Sequence, residues 1–331
     1  MASSSVRRGV SRLSHLLQNT SPLASSAHSC SGRCPGLSSG ELAPFGSRMA
    51  SSQIVRNRMK SVKSIQKITK AMKMVAASKL RGVQVKAENS RGFWQPFVAL
   101  LGDHPDIESK KNVILTISSD RGLCGGINST SVKFSKAMFT LSASEEPAKY
   151  VILGEKGKVQ LQRDSKKNIQ MVVTDIQKMP INFTQISMIA DEILKNVEFD
   201  TIKIIYNKFG SVVSFLPSVA TIPSPEVIAR ESEAGGKLEQ LESYEIEGGD
   251  SKAEVLQNLS EFQFAAMLFN ASLENACSEQ GARMSAMDSS TRNASEMLEK
   301  LTLKYNRSRQ ASITTELIEI ISGAAALEAA S

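Results

Sequence analysis

The chain has 331 residues, 41% of them hydrophobic and 22% charged, which is enough apolar content to bury a real core and excludes a chain disordered throughout. Its formal net charge is +7. In Met1 to Arg48 five arginines (Arg7, Arg8, Arg12, Arg33, Arg48) stand against Glu41 alone, so +4 belongs there, and the +3 left to the rest is too small to point to nucleic acid or an anionic membrane surface.

Residues 1–48 are rich in serine and poor in acids, and place Val6, Val10, Leu13 and Leu17 at helical spacing among Arg7, Arg8 and Arg12. That is the composition of an organelle transit peptide, and it carries Cys30 and Cys34. The apolar run of a secretory signal is missing, and no stretch approaches the ~20 apolar residues of a membrane span, so a soluble mature chain is expected.

From Gln53 the spacing predicts a long helix. Val55, Met59, Val62, Ile65, Ile68, Met72, Val75, Leu80 and Val83 advance by three, four or five residues and read as one apolar stripe. Between Gln53 and Lys86 there is no acidic residue, while Arg56, Arg58, Lys60, Lys63, Lys67, Lys70, Lys73, Lys79, Arg81 and Lys86 occupy the other faces. Such a helix either presents a solvated basic face or runs past an acidic partner. Gly92 and Pro96 are expected to end or bend it, because proline lacks the helix donor and clashes with the preceding turn.

Short apolar runs then alternate with amphipathic ones. Asn112 to Ser118, Tyr150 to Leu153, Ile169 to Val173, Thr201 to Tyr206 and Val212 to Thr221 read as strands. Ser129 to Leu141, Lys156 to Gln162 and Phe183 to Val197 read as helices, which together predict an α/β domain with a largely parallel sheet. Pro223, Pro225, Gly235, Gly236, Gly248 and Gly249 mark a polar connector.

Within this domain Asp120-Arg-Gly-Leu-Cys-Gly-Gly-Ile-Asn128 is a glycine-rich turn from the first strand into its helix. Such turns can cradle phosphate, but neither the dinucleotide fingerprint nor a Gly-Lys-Ser/Thr is present, so a tight turn is the stronger expectation. His15, His28 and His104 have no nucleophile or metal partner at useful spacing, and Cys124 and Cys277 lack the pairing of a zinc site. No catalytic, metal or cofactor residue is therefore nominated.

From Ser251 to Leu327 nothing stops a second helix. Val255, Leu259, Phe262, Ala266, Phe269, Leu273 and Ala276 alternate steps of four and three; the seam passes through Gln280 to Met284 in two steps of four, then resumes as Met287, Thr291, Ala294, Leu298, Leu301 and Tyr305. That is a heptad pattern with one stutter. A helix of this extent is on the order of 110 Å long, so much of it must lie against partners or solvent.

Three stretches resemble the gamma subunit of F-type ATP synthases. They are Gln53-Ile-Val-Arg-Asn-Arg-Met-Lys-Ser-Val-Lys-Ser-Ile-Gln-Lys-Ile-Thr-Lys-Ala-Met-Lys-Met-Val-Ala-Ala-Ser-Lys-Leu80, the central Asp120-Arg-Gly-Leu-Cys-Gly-Gly, and the terminal helix with Met284-Ser-Ala-Met-Asp-Ser-Ser-Thr-Arg-Asn-Ala294 and Tyr305-Asn-Arg-Ser-Arg-Gln-Ala-Ser-Ile-Thr-Thr-Glu-Leu-Ile-Glu-Ile-Ile-Ser-Gly-Ala-Ala-Ala326. The likeness runs from Gln53 to Leu327 in matching order and leaves out only the presequence.

The resemblance implies an α/β domain inserted between two long terminal helices that form an antiparallel coiled coil. The implied boundaries are a presequence and linker over 1–48, the N-terminal long helix over 49–101, the α/β domain over 102–225, a connector over 226–250 and the C-terminal long helix over 251–331. It implies a central-stalk rotor without an active site of its own. Its implied partners are the alpha and beta subunits of the catalytic hexamer, the small delta/epsilon-type stalk subunits and the membrane c-ring. By the same resemblance Arg309 and Gln310 match positions that catch a loop of one beta subunit, and Met72 a coupling position near that loop. Chloroplast members carry a cysteine pair after the sheet; Ile222 to Asp250 has none, which together with the Arg- and Ser-rich presequence favours the matrix side of the mitochondrial inner membrane. Against this stand a coiled-coil scaffold, which gives no reason for the α/β domain, and a nucleotide-dependent enzyme, which lacks a site.

Overall fold

The computed structural model describes residues 46–101, 111–142, 147–233 and 252–330. The presequence with Cys30 and Cys34, His104 and most of the connector lie outside the described residues. Residues from Arg48 onward form one unit, which is the subject below.

In chain order the elements are α1 (Gly46–Leu101), β1 (Asn112–Ile117), α2 (Ile127–Leu141), β2 (Lys149–Leu153), α3 (Glu155–Ser165), β3 (Ile169–Val173), α4 (Phe183–Asn196), β4 (Thr201–Phe209), β5 (Phe215–Pro223), α5 (Pro225–Glu233) and α6 (Lys252–Ala330). The strands lie in the order β3-β2-β1-β4-β5, parallel except for β5, which returns antiparallel along β4. β1 is buried on both faces, as its unbroken apolar run requires. On one face Val113, Leu115, Ile117, Ile202 and Ile204 pack against α4 and α6; on the other Ile114, Tyr150, Ile152 and Ile205 pack with Val132 of α2 and Leu161 of α3. The sheet is thus the middle of three layers.

Several boundaries differ from expectation for local reasons. Val212 does not begin β5, because Ser211 and Ser214 exchange backbone hydrogen bonds of 2.9 and 3.2 Å and turn the chain there. The connector opens on α5, capped by Ser224, whose Oγ accepts from Val227 N at 3.4 Å, with Pro225 at the first helical position. Pro96 does not end α1, which continues to Leu101. Isolated, that proline would cost a helix about 3 kcal/mol. Here the turn before it is fastened to the body: Trp94 packs on the core, and the Phe93 ring meets Phe183 and Phe262 edge-on at 5.8 and 5.7 Å.

α6 is a single helix of 79 residues, about 120 Å long. From Gln263 to Glu279 every residue except Phe269 is buried. This segment is sheathed by the sheet, α4 and α1, and four of its polar side chains, Asn270, Glu274, Asn275 and Ser278, bond across to those neighbours. Glu274 accepts from Arg91 Nε on α1 at 2.6 Å and from the Phe209 backbone N–H on β4 at 2.9 Å. Asn275 Oδ1 accepts from Asn207 Nδ2 at 2.9 Å, and Ser278 Oγ donates to the Asn207 carbonyl at 2.8 Å. Gly281 lets the hairpin close on the helix: a side-chain carbon there would come within 3.4 Å of the Phe209 ring and the Val212 carbonyl oxygen.

Candidate functional site: the shaft surface

Above the α/β body, α1 and α6 run side by side in opposite directions. Gln66 Nε2 donates to Ser295 Oγ at 2.6 Å, Thr291 Oγ1 to Thr69 Oγ1 at 2.8 Å and Lys73 Nζ to Asp288 at 2.5 Å, while lower down Ser90 Oγ donates to Asn270 Oδ1 at 2.9 Å. The residue numbers in each pair add to 360 or 361, so one register holds from the body upward. On α1 it buries Val55, Val62, Thr69, Ala76, Leu80, Ala87 and Ser90. On α6 it buries Met287 and Ala294 and half-buries Thr291, Leu298, Leu301 and Tyr305, the same positions that the heptad spacing selects.

On α1 the outcome differs from the expected stripe. Ile65, Ile68 and Val75 are 51%, 58% and 55% exposed, and Met72 is only half-buried. Gln66, Thr69, Lys73 and Ala76, each one residue further on, face α6 instead. The apolar stripe takes steps of three, three, four and three from Val62 to Val75, whereas a face held against another helix needs alternating fours and threes. One residue is about 100° around the helix, so the stripe turns outward. Polar groups thus fasten the shaft internally, and an apolar strip flanked by exposed Lys60, Lys63, Lys67 and Lys70 is left on its surface. The Lys73 ammonium, followed by Arg292 at 3.2 Å, holds the Asp288 carboxyl below the usual aspartate range.

The upper end of α6 repeats the exposure. Ile313, Leu317, Ile318, Ile320 and Ile321 all stand open. Contiguous exposed apolar side chains of this kind mark an interaction surface. Arg309 and Gln310 lie just below them and are exposed; the Gln310 carbonyl accepts the Thr314 hydroxyl at 3.0 Å. The structure does not bring Met72 to them. The pairing register sets Met72 level with about residue 288, some 30 Å down the shaft from Arg309.

The glycine-rich turn is tied by its own side chains. Asn128 Nδ2 donates to Ser119 Oγ at 2.7 Å and to Cys124 Sγ at 3.2 Å, and its Oδ1 accepts the Ser119 N–H at 3.0 Å. Leu123 and Gly125 take positive φ of 65° and 62°. Parallel sheets bind ligands where the strand order reverses, at the carboxyl ends of the strands. Here the reversal lies between β1 and β4, and the end of β4 is closed by Asn275, Ser278 and Glu274 of α6. The chain's own helix takes that crevice. Glu279, one turn on, bonds Arg283 at 2.5 Å; burial nevertheless pushes its carboxyl up, outweighing the Arg283 charge. Sequence reasoning missed both this filling and the polar seam, although the Asn270, Glu274, Asn275 and Ser278 run inside an apolar helix was a visible signal for buried polar pairing.

The family model described as ATP synthase matches residues 51–327. The chain belongs to the ATP synthase gamma-subunit family. Among curated members, the mitochondrial gamma subunit of Ipomoea batatas is 71% identical over 289 residues, covering 87% of this chain and 89% of that one. The mitochondrial gamma subunit of Arabidopsis thaliana is 67% identical over 299 residues, covering 90% and 92%. In structure, a chain of the Euglena gracilis mitochondrial ATP synthase, solved as an OSCP/F1/c-ring assembly, superposes with a TM-score of 0.72 at 20% identity over 85% of this chain and 96% of that one, a likeness of fold. Gamma subunits are components of the synthase. Among the described residues no helix is long and apolar enough to cross a membrane.

Proposed function

We propose that the chain is the turning shaft of a mitochondrial ATP synthase, seated at the matrix side of the inner membrane. In this reading residues 49–101 and 251–331 form an antiparallel coiled coil inside the cavity of the alpha/beta hexamer. The α/β domain over 102–225 forms the foot, bearing on the c-ring together with the small delta/epsilon-type subunits; 226–250 connects foot to shaft, and 1–48 holds the presequence removed after import and a linker. The observation that carries it is the inside-out shaft: polar residues Gln66, Thr69 and Lys73 bond inward, while Ile65, Ile68, Val75 and the α6 tip remain apolar and open.

A rotor must slide past each partner without staying bound. Apolar side chains suit that, because hydrophobic contact is non-directional and has no hydrogen bond to break at each step. Its asymmetry is what drives the cycle: a catalytic site shifts its conformational equilibrium only to the extent that the shaft's contacts differ with angle. Arg309, with a planar fork suited to a carboxylate, and Gln310 serve as a releasable catch on a beta subunit, and Met72 touches the hexamer lower down as a separate contact. The chain itself has no active site in this scheme; chemistry belongs to the hexamer.

Affinity purification of the tagged full-length chain from mitochondria tests it. Alpha and beta ATPase subunits and c-ring should co-purify in stoichiometric amount. Recovery of the chain without alpha and beta would sink the rotor assignment and leave a scaffold.

A further inference from the structure

Torque on the α/β domain reaches α6 in large part through the socket that holds the helix, where small alanines alternate with the larger Phe264, Met267, Leu268 and Leu273. Ala265, Ala266, Ala271 and Ala276 line the buried segment, and apolar burial has no preferred direction. Beyond packing, rotation or creep of such a helix is opposed by directional bonds, and two of these meet on one side chain. Glu274, with 2% of its side chain exposed, uses one carboxylate oxygen for Arg91 Nε on α1 and the other for the Phe209 backbone N–H on β4. Glu274 thereby links α6 to both the sheet and the second helix of the shaft. The bonds of Asn270 to Ser90, Asn275 to Asn207 and Ser278 to the Asn207 carbonyl flank it within one turn on either side, and the Phe209 ring lies against Gly281.

We infer that Glu274 is the positioning residue that locks the shaft to the foot: through Arg91 and the Phe209 N–H it holds α6 in fixed angular register with β4 and α1, so that domain and shaft turn as one body. The inference rests on the rotor reading. Arg91 is the matching half of the lock, and the bond to Glu274 in turn raises its affinity for the proton. A charge-assisted pair of this kind is stiffer and more orientation-dependent than the alanine packing around it.

The experiment uses the assembled complex in inner-membrane vesicles carrying Glu274→Gln. Glutamine offers one acceptor oxygen where glutamate offers two, so either Arg91 or the Phe209 N–H is left facing an amide N–H. ATP hydrolysis should stay within about twofold of wild type, while protons pumped per ATP hydrolysed fall at least twofold against an opposing gradient, where twisting load is greatest. Arg91→Lys, which keeps the charge and one bond, should restore most of the ratio relative to Arg91→Met. A role in folding alone would lower complex yield, hydrolysis and pumping together and leave the ratio unchanged; that result overturns the lock. If Glu274→Gln does not assemble, Arg91→Met carries the measurement, and an unchanged ratio there overturns it equally. Failure of the wild-type chain to co-purify with alpha and beta subunits removes the rotor reading and the lock with it, whereas co-purification with an unchanged ratio removes the lock alone.

Discussion

One helix, α6, lives in two environments. Between Gln263 and Glu279 it is enclosed on nearly every side, and Asn270, Glu274, Asn275 and Ser278 are bonded to α1 and β4. From Ser289 upward it keeps a narrow seam against α1 and leaves most of its circumference open, isoleucines and leucines included. The difference teaches that the two halves are stabilised by different means: the lower half by its own chain, the upper half by whatever surrounds it. Substitutions can break that contrast or sharpen it.

The largest effect belongs to the enclosed half. Leu268→Ala, at a fully buried position, should cost the isolated chain roughly 2–5 kcal/mol, whereas Leu317→Ala near the tip should stay within about 0.5 kcal/mol. Urea unfolding of both variants reads this directly, and equal losses would erase the distinction. Next comes Glu279. Its folded-state pKa is raised by burial, against the pull of Arg283, so the ionised form is penalised in the folded chain and wild-type stability declines as pH rises through that raised value. Glu279→Gln should therefore be more stable than wild type near pH 8, with the gain fading as pH is lowered below the ordinary glutamate range. A gain independent of pH would show that the charge is not its source.

Smaller in the isolated chain, but visible in the complex, is Ile68→Ser. Removing an exposed apolar side chain should shift stability by less than about 0.5 kcal/mol. It should also weaken retention of alpha and beta subunits during salt washing; unchanged retention would remove the stripe from the interface. The smallest change in the chain itself is expected for Arg309→Ala, with no measurable shift in unfolding yet reduced coupled ATP synthesis. Met72→Lys should impair coupling more than Met72→Leu, and wild-type synthesis in Arg309→Ala and Met72→Lys would clear both positions of a role.

Much of this architecture was legible before any coordinates. The five strands were marked by short apolar runs bounded by turn residues, and the seam from Met287 to Tyr305 by its heptad spacing. The α1 stripe was misassigned for a physical reason. An isoleucine facing its own core and one facing another protein are the same chemistry, and periodicity cannot say which face turns inward. Thr69 and Lys73 resolve it only once Thr291 and Asp288 are seen opposite them. α5 was announced by Ser224-Pro225-Glu226 and hidden among the prolines of a presumed connector. Of the candidate contacts, Met72, Arg309 and Gln310 came from family likeness, since a solitary exposed arginine carries no signal of its own.

The pairing register has a consequence for the last turns of α6. Partners whose numbers add to about 360 bring Arg48 level with residue 312, so the helix from about Ile313 to Ala330 extends past α1. These turns only propagate a helix already nucleated below them, with no second helix beside them and their isoleucines exposed. In the proposed rotor, the surrounding hexamer supplies the cover that these turns lack. In the free subunit those turns should fray and exchange their amide hydrogens within seconds, and they should become protected on entering the hexamer. Assembly of the motor is then, at its innermost point, the final step in folding this chain.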